Sequence, residues 1–394
     1  MPDSSPIIGQ PENVAIACGG TGGHLFPGVA VGRELLRRGC HVTLMVSPKD
    51  VDQQAVQSIT EMAILTLPAV AWQPSHPFRF VRGFCRSYRL AKNAFASRPP
   101  RLVLAMGGFT SAPPILAARR CGAKTFLHES NSIPGRANRW LARWVDGAFV
   151  YFPSAAQKLA APRIEVVGMP VRPPFLEPMS PAAARAAMGL DPEAPVLLIM
   201  GGSQGAEKIN ELAANAAPRL RQAVPNLQFI HLTGSRGLES VRRRYQAQSI
   251  PAVVHAFWND MAAALAAADV AVSRAGASSL AELAARRLPA ILIPYPAAAN
   301  NHQFYNAQAF VQSGAARLLS QAGATAGDLA REILDLILNP AKRSALQNGL
   351  AEWNTPAAAA AIAEQILHWP APAALSRSAP GPNFKPQKPG MLNV

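Results

Sequence analysis

Three short apolar runs in this chain each break directly into a glycine loop. Val14-Ala15-Ile16-Ala17-Cys18 leads into Gly19-Gly20-Thr21-Gly22-Gly23-His24, Leu102-Val103-Leu104-Ala105-Met106 into Gly107-Gly108, and Val196-Leu197-Leu198-Ile199-Met200 into Gly201-Gly202-Ser203-Gln204-Gly205-Ala206. A buried parallel strand that ends in glycines and feeds a helix leaves unpaired backbone N–H groups at the helix N-terminus, where the dipole favours an anion. The first and third loops lie about 180 residues apart, which predicts two nucleotide-type α/β domains facing each other. His24, in the first loop, is a side chain that moves protons near neutral pH.

At 394 residues the chain exceeds the size at which one hydrophobic core stops growing, so two domains are expected. No apolar run is long enough to span a bilayer. Residues 1–10 carry neither a basic n-region nor an apolar h-region, so the expectation is a protein that stays in the cytoplasm. Cys18, Cys40, Cys85 and Cys121 are widely spaced and match no metal pattern, which predicts reduced thiols. The net charge of +15 is unevenly placed, since residues 72–101 hold seven Lys or Arg and no Asp or Glu. Such a block calls for an anionic partner: nucleic acid, acidic lipid or a phosphorylated substrate.

Strand-like and helix-like segments alternate almost throughout, the pattern of a parallel α/β architecture. Strands are expected at 14–18, 41–46, 102–106, 124–127, 147–151 and 164–167, with helices at 28–38, after Pro27, and 115–120. Prolines 170, 173, 174, 178, 181, 192 and 195 then interrupt the alternation, which reads as a linker with a short helix at 182–188. The second half restarts with strands at 196–200, 227–232, 252–255, 269–273, 290–293 and 316–319. Its helices are expected at 206–224, 259–267, 279–286, 302–313, 326–338, 340–354 and 357–368. The predicted organisation is a flexible 1–12, a first domain 13–170, a linker 171–195, a second domain 196–355, a C-terminal helix 356–369 and a disordered Pro-rich tail 370–394.

A nicotinamide-binding reading fails locally. It requires G-x-G-x-x-G and an acidic residue about 20 positions on, at the end of the second strand. Here the loop is Gly-Gly-Thr-Gly-Gly-His and the second strand ends in Val46-Ser47-Pro48.

The glycine loops belong to a longer series. Gly19-Gly20-Thr21-Gly22-Gly23-His24, Gly107-Gly108-Phe109, His128-Glu129-Ser130-Asn131-Ser132-Ile133-Pro134-Gly135 and Gly168-Met169-Pro170-Val171-Arg172 precede Gly201-Gly202-Ser203-Gln204-Gly205-Ala206. Phe257-Trp258-Asn259-Asp260-Met261, Ser273-Arg274-Ala275-Gly276-Ala277 with Glu282, and His302-Gln303 ahead of Asn306-Ala307 follow in order. This series closely resembles the MurG family, the bacterial transferases that convert lipid I to lipid II in peptidoglycan synthesis. The resemblance implies an α/β GT-B fold of two Rossmann-like domains with parallel sheets facing a central cleft, the donor held mainly by the C-terminal one. It implies inverting transfer of GlcNAc from UDP-GlcNAc to the C4 hydroxyl of MurNAc in undecaprenyl-pyrophosphoryl-MurNAc-pentapeptide, without a nicotinamide or an obligate protein-bound metal. A related transferase acting on another lipid, such as diacylglycerol, would keep the donor site and change the acceptor face.

Inverting transfer needs a base, stabilisation of the leaving diphosphate and a grip on the donor. His24, after its glycine turn, is the candidate base; it could instead bind phosphate as a cation or cap the following helix, and Glu129 competes for the base role. Thr21, Gly22 and Gly23 offer a hydroxyl and amides to a diphosphate, or serve tight strand–helix packing. Arg172 can pair with a diphosphate oxygen. By the resemblance, Ser203 is a phosphate ligand of the donor and Trp258 meets the uracil through its backbone. Ala277, Ser278, Ser279, Leu280, Ala281 and Glu282 form a donor-binding segment, with Glu282, placed at a helix start, accepting the ribose hydroxyls. Gln303 reads sugar hydroxyls and Asn131 is a further substrate-binding position. Asp50-Val51-Asp52 fits the D-x-D of the other large glycosyltransferase class but lacks its surroundings, and reads as two surface carboxylates.

In the basic block, Phe80, Phe84, Tyr88, Ala91 and Phe95 recur at helical spacing beside Arg79, Arg82, Arg86, Arg89 and Lys92. That composition suits an anionic membrane surface. The alternatives are a core-facing helix with a solvated basic side, or nucleic-acid binding, for which no recognised module is present. The expected partners are UDP-GlcNAc, lipid I and the membrane, with cell-wall synthesis proteins admissible. The expected location is peripheral, on the cytoplasmic face of the inner membrane.

Overall fold

The structure, a computed structural model, describes residues 12–369 apart from Thr21, Ser58, Gln73, Pro74, Ser203 and Gln204. Each apolar run forms a strand: β1 (Asn13–Ala17), β2 (His41–Val46), β3 (Ala63–Thr66), β4 (Leu102–Ala105), β5 (Lys124–Glu129), β6 (Gly147–Val150) and β7 (Ile164–Val166) build the first sheet. The second contains β8 (Val196–Met200), β9 (Gln228–Leu232), β10 (Ala252–His255), β11 (Val270–Ser273), β12 (Ala290–Leu292) and β13 (Arg317–Leu318). Their orders are β3-β2-β1-β4-β5-β6-β7 and β10-β9-β8-β11-β12-β13, with every neighbouring pair parallel. The strands β4, β8 and β11 are buried along their whole length because helices cover both faces.

Helices α1 (Gly22–Arg37), α2 (Asp50–Val56), α3 (Pro77–Ser97), α4 (Ala112–Arg120), α5 (Arg136–Leu141) and α6 (Pro153–Ala156) occupy the first domain, and α7 (Pro181–Ala187) the linker. The second domain holds α8 (Glu207–Ala223), α9 (Leu238–Ala247), α10 (Met261–Ala267), α11 (Ala277–Arg286), α12 (His302–Gln312), α13 (Ala326–Ile337) and α14 (Pro340–Trp353). Strand order reverses between β1 and β4 and again between β8 and β11, so a crevice opens at those points. All three glycine loops leave strands that border a crevice.

One apolar cluster runs through both domains, from Ala15, Val103 and Leu127 to Leu198, Ala271 and Leu292. Tyr151, Phe152, Phe310 and Trp353 join its halves, with Phe310 stacked on Trp353 at 4.4 Å between centroids and Phe152 at 5.1 Å from the same indole. The chain then returns. Helix α15 (Ala358–Leu367) buries Ile362, Ala363 and Ile366 against the first-domain core, and Trp369 sits edge-on to Phe126 and Phe149 at 5.0 and 5.8 Å.

Several expectations need correction. Helix α1 begins at Gly22, not Gly28, and carries Pro27 inside it. Strand β3 and helices α2, α5 and α9 had no sequence reading: β3 is an exposed four-residue edge, and α9 buries only Val241 and Tyr245. The aromatic stripe of α3 also turns inward. Ala91 and Phe95 are buried, and Phe84 and Tyr88 pack on the core, so this face is the core-facing alternative. Cys18 and Cys40 are buried, Cys85 and Cys121 exposed, and all four are free thiols. The tail 370–394 lies outside the described residues.

Because Trp369 closes the first-domain core from the far end of the chain, Trp369→Ala should cost about 2 kcal/mol of stability, a moderate large-to-small loss for a half-buried ring. Chemical denaturation checks this, and an unchanged midpoint would mean that α15 is not part of that core.

Candidate active site

The first-domain crevice is organised around His24. Gly107 and Gly108 follow β4 with φ of 102° and 80°, and a Cβ at either would crowd the His24 ring at 3.0 to 3.2 Å. The paired glycines therefore make room for the imidazole, which burial pushes below its ordinary pKa against the opposing pull of the Met106 carbonyl and Asp52; His302 and Lys49 lower it further. At neutral pH the ring is uncharged and can accept a proton. Its Nδ1 is buried without a hydrogen-bond partner among the described residues.

Pro27 shapes the same helix end. A proline inside a helix leaves the carbonyl four residues earlier without its donor, here that of Gly23. That carbonyl accepts a hydrogen bond from Ser278 Oγ across the cleft, at 3.4 Å. Ser278 lies in the first turn of α11, whose leading N–H groups have no side-chain cap. The N-termini of α1 and α11, one from each domain, thus converge on one gap, and their dipoles favour an anion there. Gly22 and Gly23 sit on one side; Ala277, Ser278 and Ser279 on the other. The buried Leu280 and Ala281 side chains face the core, so that pair can reach a ligand only through the backbone.

Glu282 stands in the second turn of α11 rather than at its start. Its carboxylate lies 3.5 Å from Arg172 Nη2, and Arg172 rests over Phe26 and Phe175 at 4.3 and 4.9 Å. Burial pushes the Glu282 carboxyl up to about 7, with the Arg172 charge pulling the other way. Arg172 Nε is also buried without a partner among the described residues, so the guanidinium keeps donor capacity while it holds Glu282.

Glu129 is buried and accepts from Asn131 N at 2.8 Å, Asn131 Nδ2 at 3.2 Å, Gly135 N at 3.0 Å and Asn138 Nδ2 at 2.9 Å. Both oxygens are committed to the 130–135 loop, which speaks against the competing base assignment. Burial raises its pKa, and hydrogen bonds led by those from Asn131 and Gly135 oppose the rise. Asn131 in turn accepts from Asn306 Nδ2 at 3.1 Å, and Asn306 Oδ1 accepts from Ser132 N and Oγ at 2.9 and 3.0 Å. Asn306 is wholly buried and ties the two domains together. Its role was not read from the sequence, although its motif was.

Trp258 is half-buried beside His255, with ring centroids 4.6 Å apart, and Gln303 Oε1 accepts from Tyr295 N at 3.0 Å. Thr21 and Ser203 lie outside the described residues. The D-x-D reading is corrected: Asp52 is wholly buried, not a surface carboxylate, and accepts from the Gly20 amide at 2.6 Å. That amide is therefore unavailable to a ligand. Among the described residues, no three His, Cys, Asp or Glu side chains cluster as a metal set, and no helix is long and apolar enough to cross a membrane.

Residues 14–150 match the glycosyltransferase family 28 N-terminal domain and residues 196–365 its C-terminal domain. A UDP-N-acetylglucosamine–N-acetylmuramyl-(pentapeptide) pyrophosphoryl-undecaprenol N-acetylglucosamine transferase of Anaeromyxobacter sp. (strain K) is 34% identical over 388 residues, covering 95% of this chain and 98% of the relative. Its namesake from Gloeobacter violaceus is 36% identical over 332 residues, covering 82% and 89%. The crystal structure of Acinetobacter baumannii MurG superposes with a TM-score of 0.71 at 26% identity, covering 91% of this chain and 99% of that one. With both domains matched and relatives aligned over nearly its whole length, the chain belongs to glycosyltransferase family 28, together with the UDP-N-acetylglucosamine–N-acetylmuramyl-(pentapeptide) pyrophosphoryl-undecaprenol N-acetylglucosamine transferases.

Proposed function

We propose that this chain transfers GlcNAc from UDP-GlcNAc to the C4 hydroxyl of MurNAc in lipid I, with inversion, giving lipid II. The observation that carries the reading is the convergence of α1 and α11 beside a neutral imidazole, in a chain whose relatives bear that activity in their names. Those names specify a pyrophosphoryl-undecaprenol acceptor, so a diacylglycerol-type acceptor is not favoured.

In this mechanism His24 takes the proton of the acceptor hydroxyl as its oxygen attacks the anomeric carbon. The bond from that carbon to the diphosphate oxygen breaks, and UDP leaves. The charge growing on the diphosphate falls on the free amides of α1 and α11 and on Arg172, without a protein-bound metal. Glu282 exchanges Arg172 for the ribose hydroxyls, which frees the guanidinium for phosphate.

Membrane attachment uses the outer side of α3. Phe78 is 86% exposed and Val81 54%, flanked by Arg79, Arg82, Arg86 and Arg89. Two apolar residues at a basic surface suit the interface of an anionic bilayer, placing the cleft beside a lipid-anchored acceptor on the cytoplasmic face.

Transfer of labelled GlcNAc to a short-chain lipid I analogue, with EDTA present, tests the reaction. We expect product from wild type at an undiminished rate, and a loss of about a hundredfold or more in His24→Ala; no wild-type product overturns the function, and an unimpaired variant overturns the base. Glu282→Gln should raise the UDP-GlcNAc KM about tenfold or more by weakening the ribose contact. The wild-type KM should itself climb as pH falls through about 7, where Glu282 takes up its proton, and the variant should lack that dependence. Replacing Arg79, Arg82, Arg86 and Arg89 together by Ala should weaken binding to anionic liposomes by up to about a thousandfold, since each basic residue contributes on the order of 1 kcal/mol. Binding equal to wild type refutes the membrane face.

A further inference from the structure

The loop that delivers His24 is held from outside its own strand and helix. Gly20, with φ of 117°, donates its N–H to Asp52 Oδ2 at 2.6 Å, while its carbonyl accepts from Lys49 Nζ at 3.0 Å. Asp52 Oδ2 also accepts from Ser47 N at 3.2 Å and Ser47 Oγ at 2.5 Å, and Thr110 Oγ1 donates to the Gly19 carbonyl at 2.6 Å. Lys49 sits 5.1 Å over the Phe109 ring, which packs against Gly20. Two side chains of opposite charge therefore grip the backbone of one residue through its two adjoining peptide bonds, two residues before α1 begins.

The second oxygen of Asp52 is odd by comparison. Oδ1 is buried and makes no hydrogen bond among the described residues, an arrangement that costs stability. An amide in this position would supply the one acceptor oxygen the loop uses. What a carboxylate adds is charge, and the neighbours that feel it are Cys18, whose thiol is pushed up chiefly by burial and then by Asp52, and His24.

We propose that Asp52 and Lys49 are positioning residues for the transfer reaction: together they clamp the Gly20 backbone from both sides, fix the entry of α1 and with it the His24 imidazole, and bring opposite charges to that loop. The charged and titratable groups facing that imidazole are Asp52 of α2, Lys49 before it, His302 of α12 and His128 of β5. Asp52 favours the protonated ring, and His302 and Lys49 disfavour it, whereas His128 is itself held low by burial and then by His24. The two clamp residues differ from His128 and His302, which bond the Gly168 and Ala299 carbonyls, in holding the backbone of the loop that carries His24. This inference rests on His24 as the proton acceptor.

Its test is the pH profile of kcat/KM for a lipid I analogue, alongside the UDP-GlcNAc KM, in Asp52→Asn and Lys49→Met. Asp52→Asn keeps one acceptor oxygen but removes the charge, so the acid limb should move to lower pH and kcat fall about tenfold as the loop loosens, with the donor KM within about twofold of wild type. Lys49→Met leaves every bond of Asp52 in place and should move the limb to higher pH. A purely structural role would shift neither limb. Should Asp52→Asn fail to fold, Lys49→Met alone decides, and an unmoved limb overturns the proposal. NMR titration of the His24 Cε1 proton needs no substrate, so it separates the outcomes. Opposite shifts in the two variants support the clamp even if wild type makes no lipid II, and coincident titrations overturn it even if wild type does.

Discussion

Two helix N-termini pointing into one gap is an arrangement that protein folds do not adopt without reason. Each carries about half a positive elementary charge, so α1 and α11 repel unless something negative lies between them. The rest of the molecule can be understood as what holds them there. The shared apolar cluster and the Phe310–Trp353 stack join the domains, and Asn306 stitches the 130–135 loop to the second. Pro27 releases the Gly23 carbonyl that Ser278 grips from the other side. Arg172, held over two aromatic rings, brings a full positive charge to the same region. A diphosphate satisfies that field; a neutral ligand does not.

Three buried carboxylates near the cleft have been put to three uses, and environment decides each. Glu129 has both oxygens saturated by donors and shapes a loop. Asp52 is half-saturated and fixes the glycine loop while lending its charge to His24. Glu282 is pushed up to about 7 by burial and has one ion-pair partner at 3.5 Å, which leaves it ready to accept new donors. Residue type alone would have assigned all three to catalysis or to none. The hydrogen-bond count around each carboxylate separates them.

The central strands were legible because a doubly covered parallel strand must be apolar along its length; Val196–Met200 matches its predicted bounds, as do His41–Val46 and the edge strand Ala252–His255. What escaped depended on tertiary context. Pro27 reads as the residue before a helix that starts at Gly28, yet the helix begins at Gly22 and the Gly23 carbonyl that the proline strands finds a donor from another domain. The polar α9 and the exposed edge β3 bury too little for a periodic pattern. On α3, helical spacing located the stripe but not which way it faces, and the core claimed it. Asp52 looked like a surface carboxylate because sequence gives no sign of the Gly20 amide it meets. His24 and Glu282 were legible as members of a motif series; their protonation behaviour followed only from burial.

The central claim is that the gap between α1 and α11 is an anion site built for a diphosphate. Calorimetric titration with UDP, UMP and uridine at pH 8, where Glu282 is ionised, addresses it directly. If the helix ends and Arg172 act on the phosphates, affinity should rise at each step from uridine to UMP to UDP, by about tenfold or more for the last, and the gain should shrink with added salt. Equal affinities for the three, insensitive to salt, would show that the converging helices do not hold the phosphates and would contradict the account.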